Sequence, residues 1–224
     1  MKARLLAGCP EATLIDVSHS VPPFDVVAGA FVLWAGTRDF GPGAVHLAVV
    51  DPGVGTSRRA VAVEVAGCWY VGPDNGLLGL VLAEAPSPPV AFELPRPEWA
   101  SATFEGRDVF APAAASLAAG TAPSALGRPV AAELEGLPLA GPAVLWVDRF
   151  GNLVTSLREP VEAVRVNDVE VRVRARTFAE APPGTPFLYL GSMGFVELGV
   201  RQGRADVALG AGPGTPIEVV RAHL

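Results

Sequence analysis

The chain has little lysine, cysteine or histidine, and each shortage closes off a class of function. Lys2 is its only lysine, and the arginines are scattered along the chain. With a formal net charge of −6 and an isoelectric point near 5.1, it lacks the electrostatic footprint of a nucleic-acid binder. The two cysteines, Cys9 and Cys68, follow no metal-ligand or redox spacing. Both sit beside apolar segments and read as small buried hydrophobes. His19, His46 and His223 form no HxxxH or HxH pair, so no zinc site is expected. The longest uncharged stretch, Val109 to Gly127, is mostly alanine and is broken by Pro112, Gly120 and Pro123. That is poor membrane-spanning material, and it reads as a buried helix followed by a loop. The first residues show no signal-peptide pattern. A soluble cytoplasmic protein, with no nucleic-acid and no membrane partner, is the expectation.

What is present is apolar: half of the 224 residues are hydrophobic and mean hydropathy is +0.37, enough to build a sizeable core. Met1 to Ala7 reads as the end of a helix, and Ala12 to Val17 as a short strand. Asp25 reads as the N-cap of a helix from Val26 to about Arg38, with Val26, Ala30, Phe31 and Trp34 on one face. Val45 to Val50 is a buried strand by its apolar run. Ala60 to Val65 and Trp69 to Val71 form a hairpin around Ala66-Gly67. A dense turn, Gly72 to Gly76, leads to a helix from Leu77 to Glu84; Val90 to Leu94 is a strand, and Val109 to Ala119 a helix. From about Leu137 the pattern changes to short β-rich segments: 144–147, 153–157, 161–166, 169–175, 187–190, 195–200, 205–209 and 217–220. Strands alternating with helices, then strands alone, indicate an α/β domain over 1–128, a linker over 129–141 and an all-β domain over 142–224.

The chemistry is to be sought at loops. There is no phosphate-loop lysine, no GxSxG elbow and no cysteine–histidine couple. The strand at Val45–Val50 ends in Asp51-Pro52-Gly53-Val54-Gly55-Thr56-Ser57-Arg58-Arg59, and open α/β sheets bind ligands beyond the carboxyl ends of their strands. Asp-Pro-Gly is also ordinary turn chemistry, so this stretch alone leaves both readings open. Two further polar clusters stand at strand ends: Glu105-Gly106-Arg107-Asp108, and Asp148 near Asn152. Asp16, His19, Asp74 and Asn75 read as structural, since strand-end and turn positions account for them.

Five blocks, in order, carry a resemblance: DVSHSVPPFD (16–25), VVDPGVGTSRR (49–59), VGPDNGLL (71–78), TFEGRDVFAP (103–112) and DRFGN (148–152). Together they resemble the S-adenosyl-L-methionine (SAM) hydroxide adenosyltransferase family, the adenosine-forming SAM hydrolases related to the SAM-dependent fluorinase and chlorinase. The resemblance spans nearly the whole chain. It implies an N-terminal α/β/α sandwich and a C-terminal barrel-like domain. It also implies a homotrimer with sites at subunit interfaces, and no cofactor, SAM being the substrate. In that family water attacks the ribose C5′ and expels methionine, leaving adenosine. Asp51 and Arg58 match the water-activating pair; the halogenases carry Tyr at the Asp position, so Asp51 implies water as nucleophile.

The remaining assignments follow from the same resemblance. Phe24 matches an aromatic that flanks the ligand. Asp148 and Asn152 match residues that hold the methionine amine and the adenine. Ser192 and Met193, in Gly191-Ser-Met-Gly-Phe-Val-Glu-Leu198, match the methionine-carboxylate site, and Val200 to Gln202 match the adenine-reading backbone. Within that last segment Arg201 stands where the family usually has Asn, and two further features depart from the family. Its third catalytic position is His, and here it is Glu105. A carboxylate beside a sulfonium stabilises the ground state more than the transition state, so Glu105 implies either a differently tuned enzyme or a SAM/adenosine binder without turnover. Met1-Lys2-Ala3 resembles the segment after the family's opening strand and T-D-F-G motif, so the sandwich is expected to lack its first strand and its ribose carboxylate.

Overall fold

The computed structural model describes residues 1–130 and 133–220; His223 lies outside the described residues. The chain divides into two compact units, Met1–Pro138 and Leu139–Leu224. The first holds β1 (Val45–Leu47), β2 (Ala60–Val65), β3 (Cys68–Pro73), β4 (Val90–Glu93) and β5 (Arg128–Pro129), with α1 (Lys2–Gly8), α2 (Val26–Thr37), α3 (Gly79–Ala83) and α4 (Ala111–Ala118). The five strands form one sheet in the order β1-β3-β2-β4-β5. Only β1 and β3 run parallel; the other pairs are antiparallel. The β2–β3 hairpin turns at Ala66 and Gly67, with φ of 51° and 80°, the two left-handed positions that match a type I′ turn to the strand twist.

Side chains alternate across this sheet. Ala60, Ala62 and Val71 pack with Ala113, Ala114 and Leu117 of α4. Tyr70 takes the opposite face, where its hydroxyl lies 3.4 Å from that of Thr37 at the end of α2. With helices on both faces, the central strands β2 and β3 are apolar at most positions. Asp25 caps α2 as expected, its Oδ1 accepting from the Ala28 N–H at 2.9 Å. The helix buries Val27, Ala28, Ala30, Phe31, Leu33 and Trp34, so it is enclosed nearly all round, and the single apolar face expected for it is corrected.

Ala12 to Val17 forms no strand. Residues 13–17 make no backbone hydrogen bond among the described residues, and β-branched composition without a neighbour to pair with does not make a strand. Between this extended segment and β1 runs a groove of about 1210 Å³, lined by Leu14, Ile15, Val17, Val45, Leu47 and Val49 among others. β1 is hydrogen-bonded to β3 on one side only. The alanine-rich helix is preceded by a π-helical turn, Gly106–Phe110, with Glu105 immediately before it.

The second unit holds β6 (Val144–Val147), β7 (Leu153–Thr155), β8 (Ala163–Val166), β9 (Val169–Val171), β10 (Pro186–Leu190), β11 (Val196–Val200) and β12 (Ile217–Val220), with α5 (Ala205–Leu209). The strands form two sheets, β10-β11-β7-β6 and β12-β8-β9, around a core that includes Val144, Leu153, Val164, Leu198 and Ile217. They are not closed into a barrel, which corrects the barrel-like expectation. β9 stops at Val171, and among the described residues the sheet edges meet at isolated bridges, Ala143 with Pro216 and Arg174 with Leu188. The segment 205–209, expected as a strand, is the helix α5. Ala205 and Leu209 stand one turn apart on its buried side, and Gly210 ends it at φ 58° in the left-handed position that terminates helices. Among the described residues no helix is long and apolar enough to cross a membrane.

Candidate active site

Asp51 follows the end of β1, and its position is fixed from two sides. The Asn75 amide Nδ2 donates to the Val50 carbonyl at 3.0 Å, which holds the backbone entering Asp51. The turn beyond it is closed by Thr56, whose N–H and hydroxyl both donate to the Gly53 carbonyl, at 3.1 and 2.7 Å. Gly55 sits at φ 79°, and a Cβ there would come within 2.8 Å of the Ala102 carbonyl oxygen. Glycine thus lets this turn lie against the segment that carries Glu105.

The turn returns Arg58 onto Asp51. Arg58 Nε donates to Asp51 Oδ1 at 2.9 Å, and Nη2 donates to Oδ2, the bidentate fork that a planar guanidinium makes with a carboxylate. The same Nη2 donates to Glu105 Oε2 at 2.5 Å. The guanidinium also stands over the Phe110 ring, 5.3 Å from its centroid. The Asp51, Arg58 and Glu105 side chains are 6%, 9% and 2% exposed, so these charges interact with little solvent screening. A fourth group joins them. Arg96 Nε donates to Glu105 Oε1 at 2.6 Å, and Arg96 Nη2 donates to the Arg58 carbonyl. The sequence offered no motif at Arg96; its one signal was two flanking prolines.

Around this network stand other ion pairs with structural duties. Arg59 Nε donates to Asp74 at 2.7 Å, while Asp74 also accepts from the Glu135 N–H. Arg107 and the Ser101 N–H hold the Asp108 carboxyl well below the usual carboxylate range. Asp16 pairs with Lys2 and His19. Asp16, His19 and Asp74 thus each have a side-chain partner. Phe24, at φ 67°, lines the same groove as Asp51. His46 faces that groove with its Nε2 unpartnered, and burial lowers its pKa.

The other residues expected in the site belong to the second unit, all at strand ends. Asp148 and Asn152 flank the β6–β7 turn. Asp148 Oδ1 accepts from the N–H groups of Phe150 and Asn152 at 2.8 and 2.9 Å, and Oδ2 accepts from Asn152 Nδ2 at 2.8 Å. Ser192 and Met193 form the β10–β11 turn, closed by a 3.0 Å bond from Gly194 N–H to the Gly191 carbonyl. Val200 ends β11, and Gln202 follows at φ 59°. Next to this set is a pair made by Glu197, which stands in the 191–198 motif without an assigned role, and Tyr189, which lies outside it. The Tyr189 hydroxyl donates to the Glu197 carboxylate at 2.5 Å. Burial raises the pKa of Glu197, and the nearby Asp148 charge raises it further against the lowering effect of Tyr189. Among the described residues no group of three or more His, Cys, Asp or Glu is placed to hold a metal ion.

Fold and site together define a two-unit protein, α/β then β, whose first unit presents an arginine-bridged pair of carboxylates near a strand end. The comparisons with known proteins narrow this further. Residues 1–127 match the family model of the SAM hydroxide adenosyltransferase N-terminal domain, and residues 142–218 that of the C-terminal domain. The chain belongs to this family. It is 48% identical over 239 residues to an (R)-S-adenosyl-L-methionine hydrolase of Thermus thermophilus, a match covering 98% of this chain and 92% of the relative. A Salinispora arenicola protein of the same description is 43% identical over 229 residues, covering 94% and 87%. Among solved structures, an uncharacterized conserved protein from Thermotoga maritima superposes with a TM-score of 0.84 at 32% identity, covering 98% of this chain and 93% of the other.

Proposed function

We propose that this chain hydrolyses S-adenosyl-L-methionine to adenosine and L-methionine, with Asp51, Arg58 and Glu105 activating the water. The observation that carries these roles is the bridging of Asp51 and Glu105 by one guanidinium. In the reaction, the water oxygen bonds to C5′ as the C5′–S bond breaks. The electron pair of that bond passes to sulfur, which leaves as the neutral thioether of methionine. The proton lost by the water passes to a carboxylate and then to solvent. Each carboxylate oxygen has two lone-pair directions, so Asp51, though held by Arg58, keeps acceptor capacity for the water. Arg58 fixes that carboxylate before substrate arrives, which removes reorganisation from the reacting step.

SAM is the substrate and no further cofactor takes part. Phe24 flanks the ligand; Asp148 and Asn152 receive the methionine amine and the adenine. Ser192 and Met193 meet the methionine carboxylate, and the backbone at Val200 and Gln202 reads the adenine. The proposal extends to a homotrimer, with sites at subunit interfaces, acting in the cytoplasm. The test is incubation of the purified protein with SAM and separation of the products by chromatography. Adenosine and methionine in equal amounts support the proposal. Heat of SAM binding with no adenosine formed overturns hydrolysis and leaves a binding protein.

A further inference from the structure

Glu105 presents a problem that the structure answers at Arg96. Two buried carboxylates on a single guanidinium leave a net negative charge beside the reaction. A negative charge there holds the sulfonium in its ground state and favours the reactant over a transition state in which that charge is being lost. Arg96 changes the balance: Asp51 and Glu105 against Arg58 and Arg96 is formally neutral.

The geometry of Arg96 is specific. Its Nε donates to Glu105 Oε1 at 2.6 Å, the oxygen that Arg58 does not use, and its Nη2 donates to the Arg58 carbonyl. One side chain therefore ties together the carboxylate of one site residue and the backbone of another. Its own backbone is restrained by Pro95 and Pro97 on either side: a residue before proline is held extended, so Arg96 reaches inward from a stiff loop. Its side chain is 34% exposed against 2% for Glu105, placing it at the rim, between the buried carboxylate and solvent.

Building on the hydrolase reading above, we propose that Arg96 is a positioning residue that neutralises Glu105 and keeps its Oε2 directed at Arg58. Arg96→Ala removes the second cation and frees the carboxylate to turn. Its kcat should fall about 10²-fold, the cost of misplacing a reacting group by about 1 Å, with KM little changed because Arg96 acts through Glu105. Guanidinium ion added to R96A should restore part of kcat, and urea, of similar shape without the charge, should not. Arg96→Lys, which keeps the charge but not the fork, should fall between R96A and the parent.

A melting cycle reads the same coupling without turnover. R96Q leaves Glu105 and Asp51 sharing the single cation Arg58, and E105Q in that background relieves the excess negative charge, so the double variant R96Q/E105Q should melt above R96Q alone. A kcat for R96A equal to the parent's, rescue by urea as well as guanidinium, or additive melting shifts would each overturn the proposal. Absence of adenosine from the parent protein would sink the hydrolase reading alone; the melting cycle would still decide whether Arg96 and Glu105 act as a pair.

Discussion

Replacing Arg58 by methionine should unsettle the first unit before any catalytic effect is considered. Among the described residues Arg58 is the cation on Asp51, and it shares Glu105 with Arg96. At an effective dielectric of about 20 and charge centres about 4 Å apart, each attraction is about 4 kcal/mol before desolvation is counted. Methionine fills much of the volume over Phe110 but leaves Asp51 buried without a counter-charge and Glu105 with Arg96 alone. Breaking a buried pair by deleting one partner costs about 3–5 kcal/mol, which for a chain of this length lowers Tm by about 6–20 °C. Differential scanning calorimetry of R58M and the parent at pH 7.5 measures this directly. A Tm within about 2 °C of the parent at pH 7.5 would refute an electrostatic role for Arg58 in holding the two carboxylates.

Three further outcomes are expected. Asp51→Asn should lower the rate of adenosine formation by about 10²–10⁴-fold, the range for loss of a general base, while leaving SAM binding measurable by calorimetry. Asp108→Asn and Glu197→Gln should show opposite pH dependences. The depressed pKa of Asp108, caused first by Arg107 and then by the Ser101 N–H, means that its carboxylate stabilises the fold above the unfolded value of 3.8 and that this is lost as pH falls. D108N should therefore melt below the parent at neutral pH and converge with it in acid. Burial raises the pKa of Glu197, so its contribution is fully present below the unfolded value of 4.5 and is lost as pH rises through the folded one. E197Q, which cannot ionise, should gain in Tm relative to the parent as pH rises from 4 to 8, read from melting curves in matched buffers.

Much of this architecture was legible in the residues. Asp51 and Arg58 stood in one motif that the family resemblance marked as a pair, and the turn between them returns the arginine to the carboxylate. The Ala66-Gly67 hairpin and the Asp25 cap were equally readable, because a two-residue turn and an N-cap are set by local chemistry. What escaped was what tertiary neighbours decide. Residues 12–17 have the composition of a strand, but a strand needs an adjacent backbone, and among the described residues none pairs with 13–17. Residues 205–209 alternate well enough for a strand, yet the Ala205–Leu209 pair one turn apart and Gly210 in the left-handed region close a single helical turn. The barrel expected of the second unit fails at strand ends too short to complete the ladder. Arg96 was invisible for a different reason: its partner is in another segment, and only folding shows that two arginines, not one, face Glu105.

In the proposed reaction, water activated by this network attacks C5′ of SAM. Running the reaction in ¹⁸O-enriched water and examining the adenosine by mass spectrometry tests it most directly. The expected result is one heavy oxygen per adenosine, at the 5′-hydroxyl, with methionine unlabelled at sulfur and a rate that collapses in D51N. Adenosine without the label, or formed as fast by D51N as by the parent, would contradict it.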